Sequence, residues 1–339
     1  MTIIYFIIVL NVTIFVHELG HYIFAKRAGI HVYEFSIGMG PRIFKFTRKN
    51  DETEYGIRLL PLGGFCSMAG ESVEIDEKIP EDRRMQSKTW LQRFLTVVAG
   101  VAFNFIFAII ILFIVGLLNG NPNSKPLVSN VIVDSPSFTA GLKQEDIITE
   151  INGVKVKNTD RLLLEYQVEY GKDLNLKVLR NGKIEDINIK FNDESYGFSL
   201  DNTINKGFFE AIKYSFTKFF SLINQLMVTI GYLCTGKLSL SNLSGPVGIF
   251  NIVGESAKAG LINLVYLTGY LSLNVGFMNL LPIPAFDGGR LIFLIIEKIR
   301  RKPVKPEIEN TIHSIGMILL MILMVVITYN DIVRFIIKW

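Results

Sequence analysis

Long apolar runs separated by three polar stretches, in which the charged residues are concentrated, constrain this sequence more than any other feature. Four such runs lie at about residues 2–25, 94–118, 261–296 and 312–329. Each approaches or exceeds the length, about 20 residues, that a helix needs to cross the hydrocarbon core of a bilayer. Half of the residues are hydrophobic, and the mean hydropathy is +0.37. The sequence therefore predicts a polytopic α-helical membrane protein with about four transmembrane helices.

The loop before the fourth run sets the predicted orientation in the membrane, because basic residues in short loops favour the cytoplasmic side. The basic residues of this loop are Lys298, Arg300, Arg301, Lys302 and Lys305. Counting back through four spans places residues 26–93 in the cytoplasm. Residues 119–260 are then extracytoplasmic.

The outer region begins with a compact α+β pattern. Asn181-Gly182 lies between two strand-like runs, 174–180 and 183–190, which is a strong signal for a type I′ hairpin. A strand at 128–133 and a helix at 158–170 are also expected. The segment "AGLKQEDIITEINGVKV" resembles part of a PDZ domain, so residues 119–200 are predicted to form a PDZ-like domain.

Residues 201–260 are predicted to be an amphipathic, interfacial linker between the outer domain and the third apolar run. Aromatic residues are frequent within 208–235, as in segments that lie at a membrane surface. An additional partial span there stays open. Residues 1–118 and 261–339 are the N-terminal and C-terminal membrane domains, each with two of the predicted transmembrane helices.

The first apolar run is interrupted by an H-E-L-G-H motif at residues 17–21. His17 and His21 are four residues apart, so on a helix they share one face and can bind one zinc ion. Glu18 stands beside them to accept a proton from water. The alternative is two buried histidines satisfied by neighbouring groups, but His, Glu and His together in an apolar span are costly without a function. The motif predicts a zinc site inside the first transmembrane helix.

A catalytic zinc usually has three protein ligands and one open position, so a third ligand is expected elsewhere in the membrane. Asp287 is the only acidic residue of the third apolar run. It follows Pro282 and Pro284, where a continuous helix is not expected. Broken backbone at membrane depth is tolerated only where protein buries it or water reaches it. We predict Asp287 as the third ligand, with a helix-capping role as the alternative.

These motifs together resemble the site-2 protease family, in particular the bacterial RseP type of intramembrane zinc metalloprotease. The matching segments are the H-E-L-G-H motif, "AGVAFNFIFA" at 99–108, S-G-P-V-G at 244–248 and "NLLPIPAFDGG" at 279–289. Residues 35–46 and 54–71 are similar to the family's membrane-associated β-hairpin region. Two positions depart from the family pattern, since Val101 stands where proline is usual and Phe286 where leucine is usual. A single PDZ domain also differs from the members that have two.

The resemblance implies a bacterial cytoplasmic-membrane enzyme with its active site toward the cytoplasm. It implies Zn²⁺ held by His17, His21 and Asp287, and Glu18 as the catalytic base. It also implies Asn279 as a residue that positions the substrate backbone, with an ordinary interhelical polar contact as the alternative. Transmembrane proteins with a single span, such as anti-sigma factors or remnant signal peptides, are the implied substrates. An extended segment at 56–65 is our candidate edge for pairing with an unwound substrate strand, with a plain amphipathic hairpin as the alternative.

Other classes of function fit the sequence less well. A PDZ-bearing membrane scaffold with a structural zinc is the main alternative, but a structural zinc needs four protein ligands. A metal-ion transporter is disfavoured because no inverted repeat is visible. The net charge of +4, without interleaved basic and aromatic residues, does not suggest nucleic acid as a partner. His31 and His313 are interpreted as surface or interfacial residues.

Overall fold

The computed structural model describes residues 1–71, 78–192, 195–239, 241 and 243–337. Residues 193–194 of the predicted PDZ-like domain, and residues 240 and 242 of the predicted linker, lie outside this set. The chain divides into two compact units. The first unit comprises Met1–Ile111 and Leu240–Trp339, and the second comprises Leu112–Ser239.

The first unit contains long helices and one hairpin. Its helices are α1 (Thr2–Arg27), the greater part of α2 (Trp90–Asn119), α6 (Pro246–Lys258), α7 (Leu261–Leu280), α8 (Asp287–Arg300) and α9 (Pro306–Ile332). Its strands are β1 (Val32–Thr47) and β2 (Glu54–Met68). In the described part of the chain, four helices are long and apolar enough to cross a membrane: Thr2–Arg27, Trp90–Asn119, Leu261–Leu280 and Glu307–Phe335. The prediction of a polytopic helical membrane protein is confirmed at this level.

The third apolar run is two helices rather than one. Helix α7 ends at Leu280 and α8 begins at Asp287. Pro282 and Pro284 lie between them, where each removes a backbone donor and fixes its own φ. Gly288 is required at the start of α8, since a Cβ there would lie 2.1 Å from the carbonyl oxygen of Leu281. The break therefore directs the first turn of α8 back against the end of α7.

Strands β1 and β2 form an antiparallel hairpin next to α1. The end of the hairpin near α1 is buried, with Val32, Phe35 and Met68 in one apolar cluster with Ala25 of α1. The far end exposes its apolar side chains, and these are Ile43, Phe44, Phe46, Ile57 and Leu59. A soluble protein seldom exposes such a group of large apolar residues, so this hairpin suits a membrane-associated position.

The second unit is built around a four-stranded sheet. The strands of the whole unit are β3 (Asn121–Pro122), β4 (Val128–Val131), β5 (Ile147–Ile151), β6 (Val154–Lys155), β7 (Leu174–Arg180), β8 (Lys183–Ile189), β9 (Phe198–Leu200) and β10 (Ile204–Asn205). Its helices are α3 (Pro136–Thr139), α4 (Thr159–Glu169), α5 (Phe208–Cys234) and the last turns of α2. The sheet order is β6-β5-β7-β8, with β4 paired to β9 and β3 to β10.

The local predictions for this unit agree closely with the observed elements. Strand β7 is joined to β8 by Asn181-Gly182, and both residues have the positive φ, +49° and +76°, that a type I′ turn demands. Helix α4 begins after Asn158, whose side chain accepts a hydrogen bond from the Arg161 amide. Residues 208–234 form one continuous helix, α5, which is not among the four apolar spans.

Candidate metal centre and catalytic cavity

Helix α1 presents two histidines to the interior of the first unit. His17 and His21 are each 7% exposed, and their Nε2 atoms are 3.2 Å apart. A spacing of four residues places both rings on one side of the helix, one turn apart. Both Nε2 atoms therefore point at the same location.

Asp287 brings a third donor atom to this location from the first residue of α8. Its Oδ2 atom lies 3.1 Å from Nε2 of His17 and 3.2 Å from Nε2 of His21. The N-cap position of α8 is occupied by Phe286, and no side chain caps this helix. The alternative role of Asp287 as a helix cap is therefore not what the structure displays.

The geometry of these three atoms fits a tetrahedral metal ion. All three lie within 4.8 Å of one another, and their separations of 3.1–3.2 Å form a nearly equilateral triangle. A zinc ion with bonds of about 2.0–2.1 Å to nitrogen and oxygen has ligands separated by roughly 3.3 Å. Oδ2 of Asp287 is buried and has no hydrogen-bond partner among the described residues. A bound cation would satisfy this carboxylate oxygen, which is otherwise costly to bury.

Helix α2 supports both histidine rings from behind. Nδ1 of His21 lies 2.8 Å from the carbonyl oxygen of Thr96, so Nδ1 donates and Nε2 keeps its lone pair for a metal. Nδ1 of His17 lies 3.4 Å from the side-chain amide of Asn104. Between them, Gly100 leaves room for the rings, because a Cβ there would lie 2.3 Å from Nε2 of His21.

The Asn104 residue is also hydrogen-bonded to Ser272 of α7. Ser272 Oγ lies 3.2 Å from Oδ1 of Asn104 and 3.1 Å from its backbone oxygen, and both residues are fully buried. A metal on Nε2 of His17 requires the proton to be on Nδ1, so Asn104 must then accept with Oδ1. Rotating the side-chain amide of Asn104 by 180° exchanges Oδ1 and Nδ2 and achieves this. Nδ2 then donates to Ser272 Oγ, and Ser272 Oγ donates to the backbone oxygen of Asn104.

A cavity of about 640 Å³ opens beside the three donor atoms. Glu18 lines it, next to the two histidines, and Gly64 of β2 approaches Glu18 so closely that a Cβ would lie 2.9 Å from its Cγ. Asn279 of α7 also lines it, and its Nδ2 donates to the Val275 carbonyl at 3.0 Å. The Asn279 Oδ1 acceptor therefore stays available to a ligand in the cavity.

The part of β2 that borders this cavity differs from the predicted edge. Residues 64–68 line it, so among the residues whose side chains are described, the segment 56–65 shares Gly64 and Phe65 with the cavity wall. The rest of that segment runs along the hairpin toward its exposed far end. The periodicity of the sequence could not show where along β2 the hairpin passes Glu18.

Sequence reasoning also missed three polar residues of the cavity. Arg290 forms an ion pair with Glu71, with 2.5 Å between Nη1 and Oε1. His313, interpreted from the sequence as a surface or interfacial residue rather than a ligand, lines the cavity from α9. Arg290 lies three residues after Asp287 and thus on the same face of α8, which is the one signal the sequence offered for this group.

Apolar helices of membrane-spanning length, with three convergent metal-ligand atoms and a carboxylate beside an open cavity, define a membrane-embedded metallopeptidase. The chain belongs to peptidase family M50, whose family model matches residues 5–323. This confirms the resemblance to site-2 proteases. The zinc metalloprotease RasP of Bacillus licheniformis is 34% identical, with 98% of this chain and 99% of that protein aligned. The regulator of sigma-W protease RasP of Bacillus subtilis is also 34% identical, with 98% of each chain aligned.

A putative zinc metalloprotease of Clostridium perfringens is likewise 34% identical, over 98% of this chain and 99% of that protein. Its alignment spans 339 positions, whereas the alignments with the two Bacillus proteins span 416 and 417. The Bacillus proteins therefore contain segments that this 339-residue chain lacks.

Proposed function

We propose that this chain, a zinc metalloprotease of intramembrane proteolysis, cleaves single-span membrane proteins within or near their transmembrane segments. The observation that carries the proposal is the convergence of His17, His21 and Asp287 beside Glu18, on helices that are apolar enough to cross a membrane. A structural zinc would need a fourth protein ligand. The described residues supply three, which leaves a position for water and substrate.

His17, His21 and Asp287 are proposed to hold the zinc, and Glu18 is proposed to be the general base. Bound zinc supplies Lewis acidity, which acidifies water and polarises a scissile carbonyl. Glu18 borders the cavity from the same helix face as the ligands. It is placed to accept the proton of the attacking water and to return it to the departing amine. Thr96 and Asn104 keep the two imidazoles oriented throughout.

The substrate is proposed to enter the cavity as an extended strand. A helix engages its own carbonyls in hydrogen bonds, so cleavage requires local unwinding. Residues 64–68 of β2 border the cavity next to Glu18, and an unwound strand can pair with such an edge. On the opposite wall, Oδ1 of Asn279 can accept a hydrogen bond from a substrate amide. Both contacts would hold the scissile bond near the three donor atoms.

We assign the active site to the cytoplasmic side of the bacterial membrane. The basic residues between α8 and α9 favour the cytoplasm for that loop, and Asp287 lies at the start of α8, one short helix away. The second unit, which carries the segment similar to PDZ domains, would then be extracytoplasmic. Its proposed role is to filter substrates by size or to bind newly exposed C-termini.

Helix α5 is proposed to lie at the outer membrane surface. One face docks on α4, where Asp160 accepts hydrogen bonds from Lys218 and Ser221, each at 2.7 Å. The opposite face exposes large apolar side chains at helical spacing, and these are Phe209, Phe216, Phe220 and Met227. Its first turn contacts the last turns of α2, with 5.6 Å between the ring centroids of Phe113 and Phe208. The apolar face is therefore at a depth where lipid can cover it.

The substrate class is proposed from one relative. The Bacillus subtilis protein is named as a regulator of sigma-W, and anti-sigma factors anchored by one transmembrane helix fit the extended-strand model. Remnant signal peptides are a second class with the same chemistry. Both present one apolar helix that must be unwound before hydrolysis.

The proposal is tested by reconstituting the purified protein with a tagged single-span substrate. We expect cleavage by the wild-type protein, no cleavage by Glu18→Gln, and equal zinc content in both. Asp287→Asn is expected to lose zinc. A Glu18→Gln variant that cleaves at the wild-type rate would overturn the assignment of the base. Failure of the wild-type protein across a broad panel of substrates, with zinc bound, would favour a scaffold with a structural zinc.

A further inference from the structure

A histidine of the fourth span holds the backbone that precedes the third metal ligand. The amide of Ala285 donates a hydrogen bond to Nδ1 of His313, with 3.0 Å between the two nitrogens. The ring lies 5.9 Å from the Phe293 ring of α8, centroid to centroid, and Gly289 leaves space for its Cε1. Helix α9 thus reaches the segment between α7 and α8 through a single polar side chain.

The backbone at this contact is in an unusual conformation. Ala285 has a φ of +83°, which residues with a Cβ seldom adopt. Such a conformation persists only where the surroundings hold it. Its carbonyl-side neighbour Phe286 leads directly into Asp287, so a change in φ at Ala285 would displace the carboxylate.

Helix α9 also fixes the residue before Ala285. Gly316 packs directly on Pro284, and a Cβ at Gly316 would lie 2.4 Å from Cβ of Pro284 and 2.7 Å from its carbonyl carbon. Gly316 lies three residues after His313, on the same face of α9. His313 and Gly316, on one face of α9, therefore hold two successive residues of the turn in place.

The hydrogen bond from the Ala285 amide also determines the tautomer of His313. Nδ1 accepts from an amide, so in the neutral ring the proton is on Nε2. Nε2 is buried and has no hydrogen-bond partner among the described residues. The connection to Asp287 consequently depends on the acceptor at the Nδ1 position alone.

We propose that His313 is a positioning residue of the metal centre, which sets the location of Asp287 by holding the amide of Ala285. This inference rests on the proposed role of Asp287 as a zinc ligand and deepens it. His313 does not touch the metal or the scissile bond. It connects the fourth span to the three-ligand site through the turn 284–286.

Asparagine and glutamine distinguish this role from a general packing role. The side-chain oxygen of asparagine can occupy the position of Nδ1, whereas that of glutamine reaches the position of Nε2. His313→Asn should therefore keep the bond to Ala285, and His313→Gln and His313→Leu should lose it. Thr311→Val is the matched control on α9, because the Thr311 hydroxyl donates to the Glu307 carbonyl of its own helix and has no other partner in the part of the chain that the structure describes.

The readouts are the dissociation constant for zinc, from chelator competition, and the visible spectrum of the Co²⁺-substituted protein in detergent. We expect His313→Gln and His313→Leu to weaken zinc binding at least tenfold and to change the cobalt ligand-field bands. His313→Asn and Thr311→Val should stay within threefold of wild type, with an unchanged spectrum. Wild-type zinc affinity and spectrum in His313→Leu would overturn the proposal, and so would an asparagine variant that behaves like the leucine variant.

Asp287→Asn separates this inference from the assignment on which it rests. If Asp287→Asn binds zinc like wild type, the ligand assignment itself fails. If Asp287→Asn loses zinc while His313→Gln and His313→Leu retain it fully, only the positioning role of His313 is wrong.

Discussion

Replacing Asn104 by leucine tests how much the support behind His17 contributes to metal binding. Leucine has the same number of side-chain heavy atoms as asparagine and the same branching at Cγ, but it cannot accept a hydrogen bond. Asn104 is fully buried, so no water replaces the lost amide. In the zinc-bound protein the proton of His17 must be on Nδ1, and the variant leaves that N–H without an acceptor.

The expected loss follows from the difference between the two metal states. A buried, unpaired N–H costs about 1–3 kcal/mol. Without metal, His17 can place its proton on Nε2, which lies 3.1 Å from Oδ2 of Asp287. Nδ1 then needs no acceptor, so the metal-free variant avoids most of this cost. The contact between Asn104 and His17 is long, 3.4 Å, which favours the lower half of the range. A loss of about 1.4–2 kcal/mol corresponds to roughly 10- to 30-fold weaker zinc binding.

The measurement is a chelator competition on metal-free protein in detergent, with circular dichroism to verify helix content. Asn104→Asp retains an acceptor for the Nδ1 proton and is expected to bind zinc within about fivefold of wild type. Thr268→Val is the control for loss of a polar group in the same helix bundle. The Thr268 hydroxyl donates to the Leu264 carbonyl of its own helix and has no other hydrogen-bond partner among the residues that the structure covers. A folded Asn104→Leu protein with the zinc affinity of wild type would refute the reasoning.

Three further predictions concern other parts of the chain. Asp331→Ala should lower the apparent melting temperature in detergent, because the buried Asp331 carboxylate accepts a hydrogen bond from the Gly248 amide, at 2.7 Å, in the first turn of α6. An unchanged melting temperature would contradict this prediction. Gly64→Val should abolish cleavage but leave zinc content intact, since its Cβ would displace Glu18; retained cleavage would exclude that contact. Burial, with Glu165 beside it, raises the pKa of Tyr232 to about 12. Its contribution to stability is complete below pH about 10 and lost as the pH rises toward 12. The difference in unfolding midpoint between wild type and Tyr232→Phe should therefore shrink over that interval, and a constant difference would argue against it.

The three side chains of the candidate metal centre could be singled out from the sequence because each is an anomaly in an apolar run. His17 and His21 interrupt the first run at helical spacing, and Asp287 is the sole acid of the third. Burying such residues is unfavourable unless they meet. The structure brings them within 4.8 Å of one another. The roles of Glu18 and Asn279 stay predictions, although both line the same cavity.

Positions that depend on packing between distant segments were harder to anticipate. Hairpin β1–β2 was expected from residues 35–71, but its register against α1 depends on Gly64, whose lack of a side chain lets the strand approach Glu18. Glycine is frequent in this hairpin, and the sequence does not mark which one faces the helix. The cavity is lined by residues 64–68 of β2, and the role of 56–65 as a substrate-pairing edge stays a prediction.

His313 shows why a single polar residue at the start of an apolar run is ambiguous. At the end of a span, a histidine satisfies its ring equally well in the lipid headgroup region or against another helix. What decides between them here is the break at Pro282 and Pro284, because a helix interrupted there leaves backbone donors without their partners inside the helix. Each break within the membrane thus requires a polar partner from another element, and the Ala285 amide finds it in His313. An isolated polar residue on a neighbouring span is therefore worth testing as that partner before it is assigned to the interface.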